Sequence, residues 1–524
     1  MTAYLRALAA EWTKFRTMRG WVAAVMIAAA LIVGLGLLPG LQGSCGKNGP
    51  GSECVAPVGP GGEEVTDSLT FVHQALTGDG SVTVRLTGLT GELPGEPGES
   101  RSGLVPWAKA GLIVRGATTQ GATYAAVMMT GAHGVRLQYD YVHDVAGKPG
   151  GVSAEAPRWL RLTRSGDTLT AAESTDGTAW STVGSARLTG LPATVEAGLF
   201  VTSPQFTELA DEGLFVGAMG GPSHATGVFD RLALAGGWHG DTWKTDVIGA
   251  SVEHGGGAGG PGGAPDAPVA GGSVGAAPGR VSGAERDGDT FRLTGSGDIA
   301  PSLPGVAGVG VTITSTLVGT FAGLIVVVVL GAVFVTAEYR RGLIRTTFAA
   351  APHRVRLLAA KATVVGGVTF VAGLIAAAVV VSLGQQVLRD NGVYLHPAST
   401  ATEARVVVGT AALLAVAAVL ALAFGAVLRR GVTAITTAVV VIVMPYVLAM
   451  TVLPTTAGQW LLRVSPAAAF ALQQASPAYP QVANIYTPAN GYFPLAPWAG
   501  LAVLAAWAAV AFAAAAVLLR KRDA

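Results

Sequence analysis

The chain has 524 residues, of which half are hydrophobic and 13% charged, with a formal net charge of +2. Its lysines and arginines are dispersed among apolar segments rather than gathered in one patch, which argues against a nucleic-acid partner. Six uncharged, strongly apolar stretches, the first separated from the others by a long polar block, predict a polytopic membrane protein carrying one large water-facing domain.

Residues 1–20 come first. Leu5, Leu8, Trp12 and Phe15 fall on one stripe of a helix while Arg6 and Lys14 lie off it, the form of an amphipathic helix lying in the membrane interface. The first span, residues 21–38, is free of charge and close to the length that ~30 Å of hydrocarbon demands. A cleaved signal peptide is the competing reading. The apolar run is too long for a signal core, and no small-x-small cleavage site follows it.

Residues 39–66 form a Gly/Pro-rich stalk containing Cys45 and Cys54. A disulfide there would close a short loop worth roughly 3 kcal/mol, free thiols being the alternative. The absence of a neighbouring histidine argues against zinc. From 67 to 248 the pattern changes to short alternating runs such as SVTVRLTG, AGLIVRG and RWLRLTR, broken by turns such as Ser165-Gly166-Asp167. This predicts an all-β sandwich. Residues 249–306 are a Gly-rich tether and re-entry segment, in which Phe291-Arg292-Leu293-Thr294 offers one more strand.

The remaining spans are predicted near Val311–Thr336, Ala362–Leu388, Val406–Leu428, Val432–Leu453 and Ala499–Leu519, with a kink at Pro445. Lysine and arginine collect before the first span, between the second and third, between the fourth and fifth, and after the sixth. Positively charged loops are retained in the cytoplasm, so both termini are expected there, residues 39–306 are expected outside, and the localisation is the plasma membrane.

Chemistry is sparse. Trp107, Tyr139, Tyr141, Trp159 and Trp180 are candidates for stacking on a glycan, although a tryptophan in an alternating strand is more often core. The carboxylates Asp140, Asp144, Glu155, Glu173 and Asp176 show no acid–nucleophile spacing. His133, His143 and Asp144 make a weak metal set, and neither a metal nor a catalytic residue is assigned. No glycine-rich phosphate loop ending in Gly-Lys-Ser/Thr occurs, so whatever uses nucleotide must be another chain. The spans hold almost no ionisable groups, which argues against an ion-coupled carrier and for an amphipathic, lipid-like or peptide cargo.

Residues 338–361, EYRRGLIRTTFAAAPHRVRLLAAK, mix basic and apolar residues between two spans, a segment suited to docking on a soluble partner so that partner motion becomes helix motion. Pro352 is expected to separate two short helices there. With the N-terminal ALAAEWTKFRTMRGW and the six spans, this segment resembles the permease subunits of bacterial ABC-2 type exporters, particularly those of actinobacteria. The resemblance implies an α-helical polytopic fold of six spans with contacts to an ATPase subunit at Glu338, Tyr339, Arg340, Arg341, Gly342 and Arg345. It also implies a homodimer or pairing with a second permease, and short helices in the external segment from Pro454 to about Pro494. The block at 67–235 resembles concanavalin A-like jelly-roll domains, and in the usual permease that external loop is short. The implied function is ATP-driven export, with no cofactor in this chain, ATP and magnesium bound and ATP hydrolysed on the partner, and the sandwich recognising glycan or cargo. The alternative is a non-transporting receptor that uses the lectin-like domain as an external sensor.

Overall fold

The computed structural model describes residues 3–41, 56–95, 99–212, 215–249, 282–304, 310–340, 342 and 353–521. Cys45, Cys54, Arg341 and Arg345, with Pro352 and most of the Gly-rich tether, lie outside the described residues.

Nine α-helices are described: α1 Ala3–Thr17, α2 Arg19–Gly36, α3 Thr320–Arg340, α4 Arg354–Asp390, α5 Thr400–Leu428, α6 Gly431–Ile442, α7 Met444–Thr451, α8 Thr455–Val464 and α9 Pro497–Lys521. Among the described residues, six stretches are long and apolar enough to cross a membrane, α6 and α7 together making the fifth. Their helical form follows from the apolar solvent, where backbone groups must bond within their own segment. The fifth breaks at Val443, directly before Met444-Pro445, because proline supplies no N–H and crowds the preceding turn.

Small residues set the close packing of the bundle. Ala417, Ala418, Ala421 and Ala426 of α5 are buried against α3 and α4, and a side chain on Gly331 would strike the carbonyl of Ala418 at 2.3 Å. Between α8 and α9 lies a 3₁₀ segment, Pro466–Gln473, whose eight residues are all buried. It packs against α5 and α9, where Thr314 Oγ1 donates to the Gln473 carbonyl at 2.6 Å and Arg405 Nη2 to that of Gln474 at 2.6 Å. Irregular backbone in an apolar surrounding is tolerated only when protein supplies its partners.

The β domain is built from β1 Val65–Asp67, β2 Leu69–Pro94, β3 Ser100–Ser102, β4 Lys109–Arg115, β5 Tyr124–Thr130, β6 Val135–Tyr139, β7 His143–Ala146, β8 Arg158–Ser165, β9 Thr168–Ser174, β10 Ser181–Arg187, β11 Thr194–Thr202, β12 Phe206–Glu212, β13 Phe215–Gly221, β14 His224–Ile248, β15 Gly283–Asp287, β16 Thr290–Gly295 and β17 Ile299–Pro301. All the pairs between these strands are antiparallel. Two long strands belong to both layers. The first half of β2 pairs with β11 and the end of β14, its second half with β8 and the start of β14. One layer therefore runs β7-β6-β5-β4-β11-β2-β14, and the other β10-β9-β8-β2-β14-β16-β15. The shared strands turn the corner at Gly78 and Gly236, whose φ angles of 72° and 98° suit glycine.

Val84, Leu86, Leu112, Val127, Leu160, Leu199 and Phe229 fill the space between the layers. Because β16 pairs with β14, β15 with β16 and β17 with β1, the sandwich extends through Pro301, beyond the sequence boundary at 248.

A second core lies on the other side of the β4–β5–β11 layer. There the β1–β17 ribbon lays Val65 and Ile299 over Phe71, Ile113, Tyr124, Met128 and Phe200. Charges are buried under it in pairs: Arg115 donates to both oxygens of Asp67 at 2.9 and 2.7 Å, and Lys109 Nζ lies 2.5 Å from Asp298 Oδ1. This ribboned face is rooted on the helical part. Gln481 Nε2 donates to the Val142 carbonyl at 3.0 Å, Asn484 Nδ2 to that of Pro304 at 3.1 Å, and His396 Nδ1 lies 3.2 Å from Glu64 Oε2.

Candidate functional site

At the end of the bundle farthest from the sandwich, four charged side chains from three helices meet. Lys361, in the second turn of α4, places Nζ 2.8 Å from each carboxylate oxygen of Glu11 on α1 and 2.6 Å from Glu338 Oε1 near the end of α3. Lys14, one turn beyond Glu11, also reaches Glu338 Oε1. Glu11, Glu338 and Lys361 are each at most 5% exposed, while Lys14 is 30% exposed. Glu338 Oε2 is buried without a hydrogen-bond partner among the described residues. An aromatic wall completes the site. Phe334 lies 5.3 Å beneath the Lys361 ammonium and 5.9 Å from Phe15, with Trp21 edge-on to it at 5.3 Å.

Local sequence explains how each element arrives there. In α1, Leu8, Glu11 and Phe15 are spaced to share one face. Phe15 is buried and Leu8 packs on the core, whereas Leu5 and Trp12 are 43% and 46% exposed. The helix is therefore rolled by roughly 50° from the stripe read in the sequence, at 100° per residue. The reason is electrostatic: Glu11 turns inward to Lys361, which carries Trp12 outward.

Helix α3 stops at Gly342, whose φ of 69° and bond from its N–H to the Tyr339 carbonyl make a left-handed terminus. The long α4 starts at Arg354, two residues after Pro352. Residues 354–361 are thus the first turns of the third span, which corrects the expectation of a separate short helix there.

Burial of the Lys14 ammonium, reinforced by the nearby positive charge of Lys361 and opposed by Glu11, lowers its pKa to about 8. The two lysines and two carboxylates balance in charge. In a dry site such an arrangement fixes geometry more than it adds net stability, and removal of one member leaves another uncompensated.

The residues expected to contact an ATPase separate into distinct roles. The Glu338 carboxylate faces inward, so it holds the α3 end in place instead of presenting itself to a partner. Tyr339 lies under the Arg429 guanidinium at 5.2 Å, tying α3 to the α5–α6 turn. Arg340 is exposed and Gly342 closes the turn. Arg354 Nη1 donates to the Leu519 carbonyl at 3.0 Å, bringing the last turn of α9 to the same end. Sequence reasoning missed Glu11 and the role of Lys361. The available signal was isolation: Glu11 is the sole acidic residue before Glu53, and Glu338 the sole one between Asp298 and Asp390.

In the sandwich, the five aromatic candidates do not form one platform. Tyr141 is buried with its hydroxyl donating to Asp67 at 2.8 Å, and burial followed by the Asp67 charge raises its pKa. Trp107 is buried and stacked on His133 at 4.0 Å, while Tyr139 stacks on His143 at 4.3 Å within the same layer. Trp159 and Trp180 belong to the opposite layer. The carboxylates are engaged structurally: Asp140 accepts from Thr123 Oγ1 at 2.6 Å, Asp144 pairs with Arg136, Glu155 accepts from Ser153, Glu173 accepts from the Lys148 N–H at 2.5 Å, and Asp176 caps its own turn. His133, His143 and Asp144 therefore have separate partners, and the described residues contain no group of three or more metal-ligating side chains.

No family model matches the chain. No curated protein matches it either. Among solved structures, the chain is similar to Scytalido-glutamic peptidase with a transition-state analogue inhibitor, at 12% identity over 43% of this chain and 98% of that one, with a TM-score of 0.25. It is also similar to a functionally unknown protein from Saccharomyces cerevisiae, at 17% identity over 31% and 72% of the two chains, with a TM-score of 0.20. A third is the GH43 protein BlXynB from Bacillus licheniformis, at 14% identity over 24% of each chain, with a TM-score of 0.17. Overlaps this slight carry no argument about activity.

Proposed function

We propose that the chain is the membrane-spanning permease subunit of an ATP-driven, ABC-2 type exporter, working with a separate ATPase and a second permease copy or homologue. The observation that carries this reading is the bridge from Lys361 to both Glu11 and Glu338. It binds α1, α3 and α4 together at the two ends of segment 338–361, so a push delivered there moves three helices as one body. In this reading the clustered end faces the cytoplasm, in agreement with the distribution of lysine and arginine. The sandwich then stands outside the cell, and an amphipathic, lipid-like or peptide cargo leaves toward it. Hydrolysis takes place on the partner, and this chain supplies the mechanical path.

Charge reversal at Arg340 and Arg341 tests the reading. Purified in mild detergent from its native host, the wild-type chain is expected to bring an ATPase with it and the R340E/R341E variant to lose it. Retention of the ATPase by the variant, or its absence from the wild-type preparation, counts against the proposal.

One observation favours a second reading, a receptor without transport. Three hydrogen-bonded or ion-paired links root the sandwich on the helical part, through Val142, Pro304 and Glu64, and a domain held in this way can pass an external signal to the spans. Recovery of a signalling kinase in place of an ATPase would favour it.

A further inference from the structure

We propose that the solvent face of the β10–β9–β8–β2–β14 layer is a binding site for an anionic polysaccharide. This goes beyond the permease reading and stands independently of it.

The strand alternation constructs the face. Along β8, Leu160 and Leu162 point into the core, which turns Trp159 and Arg161 outward; along β2, Val84 and Leu86 point inward, which turns Thr83 and Arg85 outward. Register then sets them in rows: Trp159 lies opposite Arg85, Arg85 opposite Asp230, and Arg161 opposite Thr83. Trp180 enters from the β9–β10 turn, its ring 3.8 Å from the Arg161 guanidinium carbon and its Nε1 donating to the Gly177 carbonyl at 3.2 Å.

Arg231 is placed by a bulge. The pairing of β14 with β2 slips between Asp230 and Ala233, and Arg231 adopts a φ of 51°, unusual for a residue with a side chain. The bulge carries its guanidinium to 5.8 Å from the Trp159 ring, on which Arg85 also converges at 5.9 Å.

The charge on this face is unbalanced. Arg85 is neutralised by Asp230, with bonds of 2.7 and 2.5 Å. Arg161 donates Nε to Thr83 Oγ1 at 3.0 Å, and among the described residues neither Arg161 nor Arg231 has an ion-pair partner. A guanidinium held over an indole, at 3.8 Å for Arg161 and 5.8 Å for Arg231, is positioned by the ring while its outer N–H groups stay available to a carboxylate or phosphate. Half-buried indole edges beside them suit the apolar faces of sugar rings. The face also lies on the layer opposite the ribbon that roots the domain on the helical part.

The test uses the full chain in lipid nanodiscs and immobilised polygalacturonate, with neutral dextran and poly-glutamate of similar length as comparisons. Polygalacturonate is expected to bind in a salt-sensitive manner, with dextran and poly-glutamate weaker by about tenfold or more. R161Q/R231Q should weaken polygalacturonate binding by about tenfold or more, R161K/R231K by an intermediate factor, and Lys148→Gln on the opposite layer not at all. The lysine pair keeps the charge and serves where the glutamine pair fails to fold. Undiminished binding by either double variant, or equal binding of dextran, overturns the proposal. Preference for poly-glutamate overturns it in favour of an acidic protein partner.

Discussion

Lys361 holds both carboxylate oxygens of Glu11 at 2.8 Å across 350 residues of sequence, and the ammonium that makes this contact also bonds Glu338 at 2.6 Å. One buried lysine therefore locks the N-terminal helix to two spans that follow the sandwich.

Replacement of Lys361 by methionine keeps most of the unbranched apolar stem and removes the ammonium, leaving Glu11 and Glu338 with only Lys14. Breaking a buried pair from one side costs about 3–5 kcal/mol. The variant is expected to unfold at a markedly lower temperature in detergent. K361M/E11Q should recover part of the loss, since the uncompensated carboxylate is gone. Additive losses in the double variant would contradict the cluster.

Lys14 carries a pH signature. Its folded pKa of about 8 lies below the ordinary lysine value of 10.5, so between those pH values the folded chain binds fewer protons than the unfolded one. Stability from this group is accordingly lowest below pH 8 and recovers as pH rises toward 10.5. Thermal unfolding of the wild type minus that of Lys14→Met should show this upward slope between about pH 8 and 10. A flat or falling difference would refute it.

Asp67 is fully buried and accepts from Arg115, Tyr141 and the Gly121 N–H. Asp67→Asn leaves the Arg115 charge unpaired and is expected to destabilise the sandwich by about 3–5 kcal/mol. Protease cleavage within residues 67–301 should appear at lower temperature, while the spans stay intact. Wild-type resistance would contradict the pairing.

Gly500 on α9 and Gly34 on α2 make opposing predictions. A methyl at Gly500 would meet the Ala468 carbonyl at 2.1 Å, whereas at Gly34 it meets nothing within 4 Å. Gly500→Ala should force α9 off the buried 3₁₀ segment and lower the melting temperature. Gly34→Ala should leave it unchanged or raise stability by about 0.5–1 kcal/mol through helix propensity. Equal effects would show that the 466–473 segment does not pack as described.

Much of the architecture was legible in local patterns. The six apolar stretches could be read because length and lack of charge are properties of consecutive residues, and runs such as SVTVRLTG announced strands through their alternation. The break ahead of Pro445 followed from the missing N–H. The clustered site was harder to read. A break near Pro352 was expected, but Glu11 went unremarked beside an apolar stripe, and nothing near it in sequence pointed to Lys361.

The sequence by itself determined which segments form helices suited to an apolar solvent and which form a sheet domain, because backbone satisfaction and side-chain periodicity act over a few residues. Only the tertiary structure decided that α1 rolls Glu11 inward, that Pro466–Gln473 is buried, and that Trp159 and Trp180 share a layer while Trp107 and Tyr141 lie in the other. Those outcomes depend on charges and surfaces that meet across tens to hundreds of residues, where the gain from pairing a buried ion or filling a gap outweighs local amphipathic preference.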